Sequence, residues 1–158
     1  MWKQSKSKFG NKKVTFGNET FDSKVEWQRW LFLQDCEKNC QIRNLRRQVK
    51  YTLIPAQYKP VEVKLKTKTK VVDKLVTREV TYTADFVYEK PTGEQIGVDI
   101  YKRVDGEMRV ERTPQDIYVP VVEDVKGFPN DRYPIKKALM MQKYGIEIRE
   151  VKKPTEPV

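Results

Sequence analysis

The sequence predicts one α+β domain around a mixed β-sheet, and three observations predict it. A helical pattern stands near the start, a second stands near the end, and several strand patterns with period-two alternation lie between them. A short strand pattern then follows the second helix. The order helix, strands, helix, strand is that of an α/β or α+β fold rather than a bundle or a sandwich. A length of 158 residues suits a single domain with a real core.

Residues 1–13 read as a flexible basic arm, and a short β segment about Lys13–Phe16 turns at Gly17-Asn18. The first helix should run from about Ser23 to Asn39. Ser23 is a suitable N-cap, and Glu26 three residues on gives capping-box spacing. Val25, Trp30, Phe32, Leu33 and Cys36 supply its apolar positions. A short helix or turn about Gln41–Leu45 leads into a strand near Val49–Ile54, which Pro55 stops. Residues 57–78 read as a basic hairpin. The period-two pattern of Val61–Lys70 assigns Glu62, Lys64, Lys66, Lys68 and Lys70 to one wet, cationic face.

A strand near Val80–Glu89 should end in a Pro91-Thr92-Gly93 turn. Ile96–Val104 and Glu107–Arg112 flank Asp105-Gly106, a type I′ hairpin signal, so residues 91–116 read as an inserted hairpin. Ile117–Lys126 is a β-rich run ending at Gly127. Residues 134–144 form the second helix, with Pro134 in its first turn and Gly145 at its stop. Ile146–Val151 is the last strand. The domain therefore spans 14–151, with 152–158 as a Pro-rich tail.

Composition narrows the chemistry. The chain has no histidine and two cysteines, so Ser-His-Asp and Cys-His nucleophiles and zinc sites are excluded. Cys36 and Cys40 stand one helical turn apart, where a bridge is disfavoured, and are read as reduced packing residues of an intracellular, cytoplasmic protein. No apolar run approaches the roughly 20 residues of a membrane span. Net charge is +10, unevenly placed: residues 1–15 carry +5 and residues 38–78 carry +10, while the rest is slightly acidic. Such an asymmetry fits a nucleic-acid footprint beside a separate carboxylate site; a merely solubilising surface is the alternative.

Four positions stand out for catalysis: Glu26 on the first helix, Asp85 in an otherwise apolar strand, and Asp124 with Lys126 at the end of another. Side chains two apart in a strand share a face, so Asp124 and Lys126 point together, and Asp85 on a neighbouring strand could converge with them. A register presenting Glu123 instead would separate it from Lys126. Two carboxylates can hold a hard cation such as Mg²⁺, and a nearby Lys can stabilise charge on a phosphoryl transition state.

Glu26, Asp85 and Asp124-Val125-Lys126 resemble the PD-(D/E)XK nuclease superfamily. More closely, the chain is similar to a phage-encoded family of uncharacterised proteins likened to Holliday-junction resolvases. Lys8-Phe9-Gly10-Asn11-Lys12-Lys13, Phe21-Asp22-Ser23-Lys24-x-Glu26, Gln48-x-x-Tyr51-x-Leu53-Ile54-Pro55, Tyr82-x-Ala84-Asp85-Phe86, Glu123-Asp124-Val125-Lys126-Gly127 and Tyr133-x-Ile135-Lys136-Lys137 with Tyr144-Gly145 carry that resemblance. Ala84 stands in place of the superfamily's Pro, and 38 residues separate Asp85 from Asp124 where a compact hairpin is usual.

The resemblance implies a restriction-endonuclease-like four-stranded mixed sheet flanked by helices, and Mg²⁺- or Mn²⁺-dependent endonuclease activity on DNA. On it, Asp85 and Asp124 would be metal ligands, Lys126 would position the nucleophile, and Glu26 would complete a second metal site or orient water. Branched DNA as substrate follows from the resemblance alone, and symmetric junctions would favour a homodimer. Lys12, Lys13, Arg46, Arg47, Lys64, Lys66, Lys68, Lys70, Lys136 and Lys137 are the candidate DNA contacts. The rival readings are a non-catalytic nucleic-acid-binding module on a nuclease-like fold, and a basic assembly protein of a virion.

Overall fold

The computed structural model describes residues 13–125 and 131–158. Two unusually long strands dominate it. β6 (Val80–Val104) and β7 (Glu107–Val125) form one continuous antiparallel ribbon, closed by Asp105 and Gly106 at φ 52° and 85°. Both turn residues thus adopt the positive φ that a type I′ turn requires. The Pro91-Thr92-Gly93 segment does not end the strand, as its turn chemistry suggested. Pairing slips between Pro91 and Gln95, with Gly93 at φ 84°, and then resumes. Proline cannot donate to the ladder and glycine tolerates the left-handed kink, so the segment is absorbed as a bulge. The inserted hairpin is therefore the distal half of the ribbon that carries Asp85 and Asp124.

The proximal half of the ribbon joins a four-stranded mixed sheet in the order β3-β6-β7-β8, where β3 is Arg43–Ile54 and β8 is Ile148–Val151. The first two pairings are antiparallel, and β7 with β8 is parallel. Strand β3 starts earlier than its apolar pattern suggested, in place of the helix or turn about Gln41–Leu45. Cys40 takes φ 57° after the first helix, Gln41 N–H reaches back to the Cys36 carbonyl at 2.9 Å, and the Glu37 carboxylate accepts the Leu45 N–H at 2.8 Å. These bonds satisfy the chain reversal and let pairing begin at Arg43.

Helix α1 (Lys24–Lys38) forms where its cap predicted. Ser23 is extended, its hydroxyl accepts the Glu26 N–H at 3.1 Å, and the Glu26 carboxylate accepts the Asp22 N–H at 2.9 Å. Helix α2 (Tyr133–Tyr144) carries Pro134 in its first turn and stops at Gly145, φ 65°. The two helices cover different cores. Leu33 and Cys36 of α1 pack with Ile42, Phe86 and Tyr88, whereas Tyr133 and Met140 of α2 pack with Leu53, Tyr82, Ala84, Val87, Val122 and Ile148.

Two smaller hairpins complete the chain: β1 (Val14–Phe16) with β2 (Glu19–Phe21), and β4 (Gln57–Lys64) with β5 (Thr69–Thr77). The second corrects the single cationic face read from Val61–Lys70. A turn closed by Leu65 N–H to the Lys68 carbonyl interrupts that run, leaving Lys66 and Lys68 in the loop. Lys70 pairs with Val63, so it shares a face with Lys59 and Lys74, opposite to Lys64. The basic arm of residues 1–12 lies outside the described residues. No helix among those described is long and apolar enough to cross a membrane.

The interior also holds an ion pair. Arg29 and Glu123 are both sealed from solvent, and Arg29 donates from Nε and Nη2 to the two carboxylate oxygens at 2.9 and 2.7 Å. Tyr88 donates its hydroxyl to Glu123 at 2.6 Å, and Arg29 Nη1 donates to the carbonyls of Pro154 and Glu156. The closing segment read as a tail is thus docked, with Val158 packed against the α1 core. Removing one partner strands the other charge. Glu123→Ala should cost about 3–5 kcal/mol in denaturant unfolding, whereas removing the exposed Lys102–Glu111 pair should leave the unfolding midpoint essentially unchanged.

Candidate functional site

Asp85 and Asp124 meet because of the ribbon's register. Phe86 pairs with Glu123, and Asp85 and Asp124 are the next residues outward on the two strands. Strand alternation sends the neighbours Glu123 and Asp124 to opposite faces. Glu123 goes to Arg29 beneath α1. Asp124 goes to the α2 side, where the Tyr82 hydroxyl donates to its Oδ2 at 3.2 Å. Asp85 Oδ2 accepts the Val125 N–H across the strands at 2.8 Å. The alternative register, with Glu123 presented beside Asp85, is not the one adopted.

Glu26 approaches from α1 without joining the pair directly. Gln48 stands between them, its Nε2 donating to Glu26 Oε1 at 3.2 Å and to Asp85 Oδ1 at 3.4 Å. Gln48 holds φ 52°, a left-handed conformation rare outside glycine, on a strand whose neighbours are extended. Backbone strain of this kind persists where the surroundings enforce it, and here it aims an amide between two carboxylates.

The geometry can be set beside known proteins. The profile of one family, DUF1064, proteins of unknown function, matches residues 6–115. The chain belongs to the DUF1064 family. The matched stretch holds Glu26, Gln48 and Asp85 and ends before Asp124. No curated protein and no solved structure matches the chain.

In this DUF1064 chain the two aspartates line a polar cavity of about 260 Å³ with Thr81, Thr83, Tyr82, Tyr133 and Lys136. Burial, and then the charge of Asp124, push the Asp85 carboxyl from 3.8 up to about 7, against the opposing Val125 N–H. Glu26 is also raised, first by burial. The hydroxyls of Tyr82 and Tyr133 are driven upward by burial and by Asp124, so they stay protonated as donors. The donor set is all oxygen: two close carboxylates and hydroxyls, with no sulfur or imidazole. A hard divalent cation fits that chemistry, because it would relieve the repulsion that raises Asp85. Among the described residues no three acidic or cysteine side chains stand close enough together to hold a metal, so Glu26 is set apart behind Gln48.

The remaining sequence candidates divide. Lys126 and Lys12 lie outside the described residues. Lys136 lines the aspartate cavity, while Lys137 pairs with Glu150 at 2.7 Å. Arg47 is engaged internally, 3.1 Å from Glu19 and 4.0 Å over the Phe21 ring, with a bond to the Thr20 carbonyl. Lys13 pairs with Asp22, Arg46 is exposed, and Lys64, Lys66, Lys68 and Lys70 are exposed on the β4–β5 hairpin. Sequence reasoning missed Arg29, Tyr82 and the bridging part of Gln48. Arg29 follows Glu26 by three residues on one helix face, the only signal it left.

A carboxyl that keeps its proton longer when folded makes the folded state lose stability as pH rises. For Asp85 that contribution is full below 3.8 and disappears through about 7. Unfolding free energy measured in chelator should therefore fall across that window for the native chain relative to Asp85→Asn. Added Mg²⁺ should recover the loss at pH 7 in the native chain and not in the variant.

Proposed function

We propose that this chain is a metal-dependent DNA endonuclease. The observation that carries the reading is that Asp85 and Asp124, one residue beyond the Phe86–Glu123 pair on adjacent strands, line one polar cavity with Lys136. Asp85 and Asp124 would hold Mg²⁺ or Mn²⁺. When bound, such an ion supplies Lewis-acid stabilisation of the phosphate charge and lowers the pKa of water.

The chain's own residues set the rest. The reaction joins a water oxygen to phosphorus and breaks a P–O ester bond, so it needs an oriented nucleophile and a home for one proton. Asp85, raised to about 7 in the absence of a cation, gives up its proton when the ion binds and then serves as a ligand, so the proton of the attacking water passes to solvent. Glu26, linked through Gln48, orients polar groups at the edge of the cavity. Lys136 offers positive charge for a non-bridging phosphate oxygen. Lys126, two residues after Asp124, is assigned the nucleophile-positioning role on strand spacing and the nuclease resemblance. The β4–β5 hairpin, a two-stranded ribbon bearing Lys59, Lys70 and Lys74 on one face, has the dimensions of an element that tracks a DNA groove. Branched DNA is the proposed substrate and a homodimer the proposed working form.

Purified protein with Mg²⁺ or Mn²⁺ should cleave four-way-junction or linear DNA, and Asp124→Asn and Asp85→Asn should each reduce the rate by about 10³-fold or more. Cleavage surviving Asp124→Asn would refute the assignment; tight binding with no cleavage would point to the non-catalytic module. Replacing Lys59, Lys70 and Lys74, together with Lys64, Lys66 and Lys68, by Gln should flatten the slope of log K against log salt by up to about 0.9 per lost phosphate contact. An unchanged slope would remove the hairpin from the DNA interface.

A further inference from the structure

Beside the aspartate cavity lies a larger groove that the proposed chemistry leaves unused. Its volume is about 560 Å³, and it shares Thr81 and Lys136 with the aspartate cavity as common walls. One side is Glu79 with the first residues of β6; the other is Arg132, Ile135, Lys136 and Leu139. Those four recur at spacings of three, four and seven residues, so they form one stripe along α2 and its N-cap. Val80, Ile135 and Leu139 make much of the lining aliphatic, and Ile135 is 63% exposed. Arg132 and Lys136 set positive charge on the same stripe. Glu79 is ion-paired with Lys50, so it does not oppose an anion there.

Single exposed aliphatic side chains are ordinary on a protein surface. Three converging on one concavity, against a polar site, fit an occupant with an apolar part. The cations on the stripe require that occupant to carry negative charge as well, and the shared walls require it to continue into the aspartate cavity. Paired DNA supplies the charge and not the apolar part, because its bases are stacked inside and the strand presents sugar and phosphate. An unpaired nucleotide supplies both. Its base can leave the stack and lie against apolar side chains while its phosphates stay on the strand. Adjacent cavities thus match adjacent positions of one strand.

We propose that this groove holds the base of an unpaired nucleotide next to the phosphate at Asp85 and Asp124, so that the chain selects strands with an unpaired nucleotide beside the cut. The phosphate's place rests on the nuclease reading; the groove is read from its own residues. Val80, Ile135 and Leu139 would cover the base, and Arg132 and Lys136 would neutralise the phosphates on either side of it. Unstacking costs least where a base is already unpaired, which makes the groove selective for flaps, bulges and open branch points over continuous duplex. Aliphatic contact accepts any base, so the selection is for structure and not for sequence. A preference for branched DNA then has a source in Ile135 and its neighbours.

Two duplexes of one sequence, the first with a single unpaired 2-aminopurine and the second fully paired, test it by equilibrium binding to the full chain in Ca²⁺ and in chelator. The unpaired nucleotide should tighten binding by at least about tenfold, with a rise in 2-aminopurine emission as the base leaves its stack. Ile135→Ser should cut that advantage by about fivefold. Its affinity for the paired duplex and its thermal melt should stay unchanged, because the position is exposed. Met141→Ser, on the far side of α2 and 49% exposed, should alter neither affinity. Equal affinity for the two duplexes, or an advantage untouched by Ile135→Ser, would overturn the proposal. Equal loss from Met141→Ser would overturn the placement of the base. The advantage without any cleavage in Mg²⁺ would end the nuclease reading and keep the groove as a nucleotide site. Cleavage without the advantage would keep the nuclease and end the groove.

Discussion

Two sealed charges decide which way β7 faces. Glu123 is fixed to Arg29 by a two-pronged hydrogen bond and to Tyr88 by a third, all without access to water. Strand side chains alternate, so pinning Glu123 beneath α1 obliges Asp124 to project to the other side. A slip of one residue would exchange them: a carboxylate would lose its guanidinium in the interior, at a cost of several kcal/mol. The same guanidinium takes the carbonyls of Pro154 and Glu156. Helix α1, strand β7 and the closing segment are thereby held in one arrangement. The pair contributes specificity of register more than net stability.

With the register fixed, the candidate site follows from opposed costs. Asp85 and Asp124 are brought together on paired strands, in a polar cavity lined by hydrogen-bond donors. Tyr82 and the Val125 N–H each satisfy one oxygen, and Gln48, strained at φ 52°, reaches a third. Burial and like charge still hold the Asp85 carboxyl near 7. Such a site carries unfavourable energy at neutral pH unless a proton or a cation occupies it. Structural carboxylates in this chain behave oppositely: Glu89 beside Arg43 and Glu111 beside Lys102 are pulled below the usual range.

Much of this was legible in the residues. The Ser23–Glu26 cap, the Asp105-Gly106 turn and the Pro134–Gly145 helix limits are local signals, and each formed as read because few tertiary contacts compete with them. Pro91-Thr92-Gly93 misled because turn chemistry and bulge chemistry use the same residues; cross-strand pairing on both sides decided the outcome. The Lys-rich alternation misled for a related reason. Period two says which residues share a face within a strand and nothing about where the strand reverses. Asp85 and Asp124 were visible as acids in apolar strands. Arg29 was not, because an arginine on an aromatic-rich helix reads as solvated until Glu123 is placed opposite it. Gln48 was legible only as part of the family resemblance, and its bridging part was not, since that depends on a backbone conformation that no sequence period encodes.

The central claim is that Asp85 and Asp124 form a hard-cation site enforced by strand register. Titrating Mn²⁺ into the protein at pH 7.5 or above and counting bound ions by electron paramagnetic resonance measures it directly. The account predicts saturable binding in the native chain, lost in Asp124→Asn and retained in Glu62→Gln on the remote hairpin. No saturable binding, or binding unchanged by Asp124→Asn, would contradict it.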